Sequence, residues 1–356
     1  MTIYIFTALF LFAGSLSKRK DIMYKIGFIW IFFLAAFRNP LLGGSDYYEY
    51  SAYFKAVPNL LNWSSMTQSY FEVGYRFLNS IVKLFSNEYI LFQIVYSIIV
   101  FILFYRVIRE LELNDFERCV FIFSFFCFHY IWDMWVILRQ NIADLIFWIL
   151  VILIYKHPEF EQRKKIILVV MAVVIPTLFH KTAVVNSILL PIMWLLGKMP
   201  SKKRLVIVPI VSILLYEFGN PIYNFAVNLG TTYLRASYAN YGTTASSFIN
   251  YIIRLFFFVL YAWHYDREHC VQKKVVLDSL TMMVLIGSFN NIVTTRLYEY
   301  YAVGLYASMA LFLNSFKKSS RKVVYPIYGM AMIFIMMRFI YNFDGGTMFT
   351  QYSLFI

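Results

Sequence analysis

Five short polar clusters interrupt the apolar runs of this sequence, and each contains at least one basic side chain. They occupy residues 36–50, 72–76, 138–141, 179–182 and 295–301. Three of them contribute the arginines Arg38, Arg139 and Arg296. Arginine suits phosphate because its planar guanidinium forms two parallel hydrogen bonds and stays charged at any working pH. Arg139 and Arg296 also lie where helices are predicted to begin, and a helix N-terminus adds positive partial charge. The clusters therefore predict a binding site for phosphate.

The same clusters hold side chains that suit sugars and proton transfer. Tyrosine is frequent in and around them, and its ring and hydroxyl match the apolar face and hydroxyl groups of a sugar. Each residue taken alone also has a structural explanation. A single arginine at a helix end commonly reaches toward the membrane interface, and tyrosines form aromatic belts there. His180 alone is explained by packing, and Asp46 and Glu72 by solvation in a loop. The functional interpretation depends on all of them lying on one side of a membrane.

The elements that position these clusters are predicted to be membrane-spanning helices. Hydrophobic residues make up 61% of the chain and charged residues 14%, with a mean hydropathy of +0.64. Soluble domains carry about 25% charged residues. We therefore predict an all-α, polytopic integral membrane protein, one domain over residues 1–356, with about 12 spans. Two longer outward loops are expected at 39–72 and 217–248, and a short re-entrant or interfacial helix near 73–86. The predicted spans are 2–16, 22–38, 89–108, 117–135, 139–155, 166–179, 182–197, 205–216, 249–265, 275–293, 297–315 and 323–341.

Most of the 32 Lys and Arg residues lie in predicted loops on one side, which the positive-inside rule identifies as the cytoplasm. Both ends of the chain are then expected to face outward, with an even number of spans. The remaining basic residues are scattered singly near the outer side, where that rule disfavours them, and an anionic ligand would explain their presence. They are Arg38, Lys55, Arg76, Lys83, Arg139, Lys181, Arg235, Arg254, Arg296 and Arg338.

In this order, the clusters resemble the EpsG family, which groups with the Wzy-type polymerases of bacterial exopolysaccharide, capsule and O-antigen synthesis. The matching pieces are FRNPLLGGSDYYEY (37–50), FEVGY (71–75), LRQNIA (138–143), FHKTAVV (179–185) and TRLYEYY (295–301). They extend from the second predicted helix to the eleventh, and 186–290 has no matching motif.

The resemblance implies a glycosyltransferase that polymerises oligosaccharide units carried on undecaprenyl diphosphate, at the outer face of the cytoplasmic membrane. Neither a cofactor nor a metal is expected, and no nucleic acid. A chain-length regulator and a flippase are expected partners besides the lipid-linked glycan and membrane lipids. Arg38, Arg139 and Arg296 are expected to bind the diphosphate. The general base would be His180 or Asp46; Glu72 is a third candidate, or a partner that holds an arginine. Expected sugar-binding residues are Gln140, Tyr75, Tyr298 and, in the loop 217–248, Arg235.

Three other classes of membrane protein compete with this interpretation. A transporter or flippase of lipid-linked oligosaccharide would also bind diphosphate, and it should carry charges within its spans. Asp133, Asp144 and Asp278 keep that alternative open. A membrane acyltransferase would use a histidine in an apolar run, such as His129 or His180. An assembly or chain-length factor would have few spans and a large extracellular domain, which this sequence does not predict.

Overall fold

The protein is described by a computed structural model that covers residues 2–39, 46–65, 71–230, 248–265, 271–289, 292–343 and 352–354. These residues form α-helices joined by short turns, and no named β-strand occurs among them. The all-α prediction is therefore confirmed for this part of the chain. The helices are α1 (Thr2–Leu16), α2 (Lys20–Ala36), α3 (Asp46–Ala56), α4 (Val73–Val82), α5 (Tyr89–Glu110), α6 (Asp115–Phe128), α7 (Leu138–Lys156), α8 (Gln162–Thr177), α9 (Asn186–Gly197), α10 (Ser201–Gly230), α11 (Phe248–Tyr265), α12 (Val271–Ser288), α13 (Ile292–Glu299), α14 (Ala302–Ser315) and α15 (Lys318–Phe343).

Among the helices of the described residues, three are long and apolar enough to cross a membrane: α5, α7 and residues Lys318–Tyr341 of α15. Shorter apolar helices occur at Thr2–Leu16, Lys181–Gly197 and Ala302–Ser315. The described helices thus have the character of an integral membrane protein. The number of about 12 spans stays a prediction. The predicted span 297–315 is not one helix, because α13 ends at Glu299 and α14 begins at Ala302.

Both predicted long loops contain helices. Within 39–72, α3 is followed by a 3₁₀ helix at Leu60–Ser65. The start of the second loop at residue 217 is wrong, because α10 continues to Gly230. The sequence beyond Pro221 keeps its apolar residues, and membrane helices tolerate an internal proline. The short helix expected near 73–86 is present as α4.

The described chain divides into two compact units. Unit 1 comprises Met1–Ile149, Val174–Lys181 and Leu313–Ile356, and unit 2 comprises Leu150–Val173 and Thr182–Phe312. In unit 1, α6 packs against α1, α2 and α15, and nearly all of its side chains are buried. A helix that is apolar on every side belongs in such a central position. The prediction of one domain over the whole chain stays a prediction.

The basic turns of unit 1 gather at one end. Near the start of α6, the Cys119 thiol donates to the Lys20 carbonyl oxygen at 3.4 Å. The Asn314 amide donates to the Glu117 carboxylate at 2.8 Å. The α1–α2, α5–α6 and α14–α15 turns therefore lie together. Arg38 follows the opposite end of α2, whose 17 residues span about 25 Å at 1.5 Å per residue.

In unit 2, α12 is the central helix and packs against α9, α10, α11 and α13. Its buried Asp278 forms an ion pair with Arg204, 2.5 Å between oxygen and nitrogen. The other carboxylate oxygen accepts from the Tyr155 hydroxyl at 2.7 Å. Arg204 also donates to the carbonyl oxygens of Gly197 and Met199. Asp278, one of the residues that kept the transporter alternative open, is therefore part of a bonded structural network.

Lys83 has a structural partner in the described part of unit 1. Its ammonium nitrogen lies 3.1, 2.5 and 2.7 Å from the carbonyl oxygens of Phe54, Lys55 and Val57, respectively. The last carbonyl groups of a helix have no donor partner within it. Lys83 therefore caps α3, which gives a structural reason for a lysine that the sequence predicted near the outer side.

Replacing Lys83 with alanine is expected to destabilise unit 1 without touching the candidate site. Losing hydrogen bonds from a charged donor should lower the free energy of unfolding by about 1.5–3 kcal/mol. Thermal unfolding of the purified protein in detergent measures this. Lys55→Ala is the matched control, since the Lys55 side chain is exposed. Equal unfolding midpoints for the two variants would contradict the capping role.

Candidate functional site

The candidate site in unit 1 is built around a break between α6 and α7. A π-helical turn at Trp132–Val136 joins the two helices. Such turns insert an extra residue into the helical repeat and occur frequently at functional sites. The Tyr96 hydroxyl and the Asn141 amide donate to the carbonyl oxygen of Asp133 at 3.1 and 3.0 Å. These bonds fix the turn, which places Trp135 before the start of α7.

Arg38 is buried against this turn. Its side chain is 2% exposed, and the guanidinium carbon lies 4.9 Å from the centroid of the Trp135 ring. Among the described residues, Nε and Nη1 have no hydrogen-bond partner, and no carboxylate forms an ion pair with the guanidinium. A buried charge without a partner is energetically costly. Arg38 is therefore ready to receive an anion.

The backbone around Arg38 is held from two directions. Gln93 on α5 donates its amide to the carbonyl oxygens of Ala36 and Arg38 at 3.0 and 2.9 Å. On the other side, Arg38 forms an isolated antiparallel bridge with Leu354, and the Asn39 N–H donates to the Ser353 carbonyl at 2.9 Å. Asn39 precedes a proline, which favours the extended backbone that such pairing requires. The position of Arg38 is therefore fixed by residues far apart in the sequence.

Tyr352 borders the same place. Its hydroxyl donates to the carbonyl oxygen of Leu34 at 3.0 Å, and its ring centroid lies 6.4 Å from that of Trp135. Burial raises the pKa of Tyr352 to about 12. The hydroxyl therefore stays protonated, and remains a donor, to a higher pH than that of an ordinary tyrosine.

Arg139, in the first turn of α7, differs from Arg38 because its charge is compensated. Its Nη1 lies 2.5 Å from a Glu72 carboxylate oxygen, and both side chains are largely buried. The other Glu72 oxygen accepts from the Lys181 backbone N–H at 3.1 Å. Glu72 thus holds Arg139 in place and connects the clusters 72–76, 138–141 and 179–182. His180 is buried and adjoins Lys181 in the chain.

Gly74 allows these clusters to approach. Its N–H donates to the Leu178 carbonyl oxygen at 2.7 Å, and a Cβ atom at this position would lie only 2.8 Å from that oxygen. The clash would be with backbone, which cannot move aside as the end of a side chain can.

Gly74→Ala is therefore expected to separate α4 from Leu178 and to destabilise the protein by about 1–3 kcal/mol, the usual range for overpacking. The thermal unfolding midpoint in detergent should fall. Gly14→Ala is the control, since the atoms nearest to its added Cβ belong to the Met23 side chain and none lies closer than 3.3 Å. A midpoint for Gly74→Ala equal to that of Gly14→Ala would show that the close approach is unimportant.

Aromatic rings surround the Glu72–Arg139 pair. The Arg139 guanidinium carbon lies 4.7 Å from the Phe71 ring centroid. Tyr75, fully buried on α4, packs against further rings, and its role in sugar binding stays a prediction. Those rings belong to Tyr50, Tyr53, Phe71 and Phe92.

The other predicted residues of unit 1 lie on nearby elements. Asp46 is the first residue of α3, one turn before Tyr50. At that position a carboxylate also stabilises the helix by interacting with its positive N-terminal end. Gln140 is buried in the first turn of α7. The structure places both residues without assigning their chemistry.

Arg296 and Tyr298 belong to unit 2 and lie on α13. Tyr298 is covered by Arg254 on α11, one of the scattered basic residues predicted near the outer side, whose guanidinium carbon lies 4.5 Å from the ring centroid. The Tyr300 hydroxyl is 3.2 Å from that of Thr182. The motif 295–301 is therefore held within unit 2 by packing and hydrogen bonds. Arg235 lies outside the described residues.

Sequence reasoning missed Tyr4, Trp135 and Tyr352, which surround Arg38. It placed Arg254 among the scattered basic residues but did not connect it with Tyr298. Trp135 carries one usable signal, since it lies in a tryptophan-rich stretch directly before LRQNIA. Tyr4 and Tyr352 carry none, because each looks like an ordinary tyrosine at the edge of an apolar run.

Comparison with known proteins gives one result. No curated protein matches the chain, and no solved structure matches it. The profile of the EpsG family matches residues 21–354, a range that includes Arg38, Glu72, Arg139 and His180. Because this match covers nearly the whole sequence, the protein belongs to the EpsG family, a family of Wzy-like polysaccharide polymerases.

Proposed function

We propose that this protein is a membrane glycosyltransferase that polymerises undecaprenyl-diphosphate-linked oligosaccharide units into a surface polysaccharide. One observation carries the proposal beyond the family: Arg38 is a buried guanidinium without a carboxylate partner among the described residues. A diphosphate supplies the charge and the acceptor oxygens that this group lacks.

The reaction transfers a glycan from its lipid carrier to the next unit. A hydroxyl oxygen of the acceptor attacks the anomeric carbon, the bond from that carbon to the diphosphate oxygen breaks, and the diphosphate leaves with the bonding electrons. Charge grows on the diphosphate as the transition state forms, so fixed cations accelerate the step. Arg38 fills this role most directly. No nucleotide is needed, because the sugar–diphosphate bond supplies the free energy.

The acceptor hydroxyl must lose its proton to a base. Glu72 already accepts hydrogen bonds at both carboxylate oxygens, from Arg139 and from the Lys181 N–H. We therefore assign Glu72 to positioning Arg139, and His180 or Asp46 to proton transfer. Arg139 would then contact the substrate with its remaining guanidinium nitrogens. The roles of Arg296, Gln140, Tyr75, Tyr298 and Arg235 remain as predicted from the sequence.

The proposed site faces the outside of the cytoplasmic membrane. Within unit 1, Arg38 lies at the end opposite to the basic turns near Lys20 and Arg118. By the positive-inside rule those turns are cytoplasmic. The polymer would therefore grow on the outer face, where a surface polysaccharide is needed.

The deciding experiment deletes the gene in its host and follows glycan length by gel electrophoresis. We expect single repeat units in place of a ladder, and restoration of the ladder by the wild-type gene. If lipid-linked units instead accumulate on the cytoplasmic side, the protein is a flippase and the proposal is wrong. Purified protein that elongates lipid-linked units in vitro would separate polymerisation from ligation to another acceptor.

A further inference from the structure

A second buried donor lies beside Arg38. Tyr4, in the first turn of α1, is 1% exposed, and its hydroxyl has no hydrogen-bond partner among the described residues. Its ring centroid lies 5.9 Å from that of Trp135, the ring against which the Arg38 guanidinium packs. Tyr4 and Arg38 also interact electrostatically. Three donor atoms, Nε and Nη1 of Arg38 and the Tyr4 hydroxyl, thus share one buried place without an acceptor.

The chemistry of these donors identifies their complement. Leaving a buried donor without an acceptor is energetically costly. A neutral acceptor would satisfy one donor, whereas a phosphate group presents several acceptor oxygens and compensates the guanidinium charge. The positive end of the α1 dipole lies in the same turn as Tyr4 and also favours an anion there. Among the described residues, several tyrosines interact electrostatically with Arg38, namely Tyr4, Tyr89, Tyr96, Tyr130 and Tyr352.

The chain near residue 352 borders this place. The Tyr352 ring centroid lies 6.1 Å from that of Tyr4 in an edge-on arrangement, and 6.4 Å from that of Trp135. The hydrogen bond from Tyr352 to Leu34 keeps its ring there. Aromatic side chains therefore enclose the three donor atoms and keep the local dielectric low, which strengthens any electrostatic contact.

We propose that Tyr4 is a further phosphate-binding residue, whose hydroxyl donates to the same phosphate group as the Arg38 guanidinium. The pocket is bordered by Trp135 and Tyr352. The inference rests on the proposed function only for the source of the phosphate, which would be the lipid-linked donor. The donors themselves call for an anion with several acceptor oxygens, which a phosphate group supplies.

The test measures binding of inorganic diphosphate and of undecaprenyl diphosphate to the purified full-length protein in detergent. Tyr4→Phe keeps the ring and removes the donor, and should raise Kd about tenfold, equivalent to about 1.4 kcal/mol. Tyr24→Phe is the matched control. Tyr24 is also buried with a hydroxyl lacking a partner among the described residues, but it lies near the Lys20 end of α2. Its substitution should leave Kd unchanged.

Each outcome decides one point. Unchanged binding by Tyr4→Phe, with binding lost in Arg38→Met, would overturn the role of Tyr4 and leave the proposed function standing. If the wild type bound neither compound, the phosphate pocket would be overturned, while the glycan ladder would still decide polymerisation. If Tyr4→Phe weakens binding of undecaprenyl diphosphate alone, the ligand is a lipid head group. If it weakens binding of both compounds, the ligand is diphosphate itself. Unfolding midpoints equal to that of the wild type show that Tyr4→Phe acts on binding and not on folding.

Discussion

Replacing Arg38 with methionine should abolish polymer formation and leave the folded protein at least as stable as the wild type. The guanidinium is buried and has no carboxylate partner in the described chain. Removing such a charge relieves its desolvation cost, and an apolar side chain of similar length fills the space. Removing a fixed donor from a developing oxyanion lowers turnover by about 10²–10³. Stability and activity should therefore change in opposite directions.

The measurement combines glycan length in the complemented deletion strain with the unfolding midpoint of the purified variant. Arg38→Lys keeps the charge and loses the planar fork, so it should retain partial activity. Arg163→Met is the control for charge removal alone, since Arg163 is exposed. A full ladder with Arg38→Met would exclude Arg38 from the site. A fall in midpoint comparable to that of Arg139→Met would show that Arg38 is structural.

For Arg139→Met we expect the reverse, a protein that unfolds easily or fails to accumulate. Glu72 would keep one bond, to the Lys181 N–H, and lose its ion-pair partner in a largely buried place. Breaking a buried pair by removing one partner costs about 3–5 kcal/mol. That is a large share of the stability of an ordinary domain.

A double-mutant cycle isolates this effect. Glu72→Gln removes the charge that Arg139→Met leaves behind, so the double variant should be more stable than Arg139→Met alone. The interaction energy should be about 0.5–3 kcal/mol, the range for contacting residues. If the free-energy changes of the two single variants simply add up in the double variant, the two side chains do not interact in the folded protein. Polymerisation should stay impaired in the double variant, since Arg139 is also proposed to contact substrate.

Two arginines that looked alike in the sequence thus receive different expectations, and the reason is tertiary. Both Arg38 and Arg139 adjoin an apolar run and carry the same local signals of phosphate binding. Only the fold shows that Glu72 reaches Arg139. The sequence named Glu72 either as a base or as the partner of an arginine, and could not choose between these roles.

Elements with long apolar runs could be predicted well, because their composition leaves few alternatives. The helices α1, α5 and α7 begin within two residues of the predicted spans. Segments whose structure depends on distant partners could not. Lys83 looked like a possible ligand for an anion until the end of α3 was found against it. The π-helical turn at Trp132–Val136 overlaps the end of the predicted span 117–135 and was not recognised, because four of its five residues are apolar.

The pairing of Arg38 with Leu354 has a consequence for how the protein is made. The two residues are separated by about 300 positions, and a chain is synthesised at about 5–20 residues per second. The first two helices therefore wait tens of seconds before Tyr352 and Ser353 exist to hold the backbone of residues 34–39. During that interval Arg38 can be held by Gln93 once α5 has been made, but it lacks its pairing with Leu354. A half-made chain in the membrane thus lacks part of the proposed diphosphate site, so it is not expected to capture lipid-linked glycan before the other helices have been inserted.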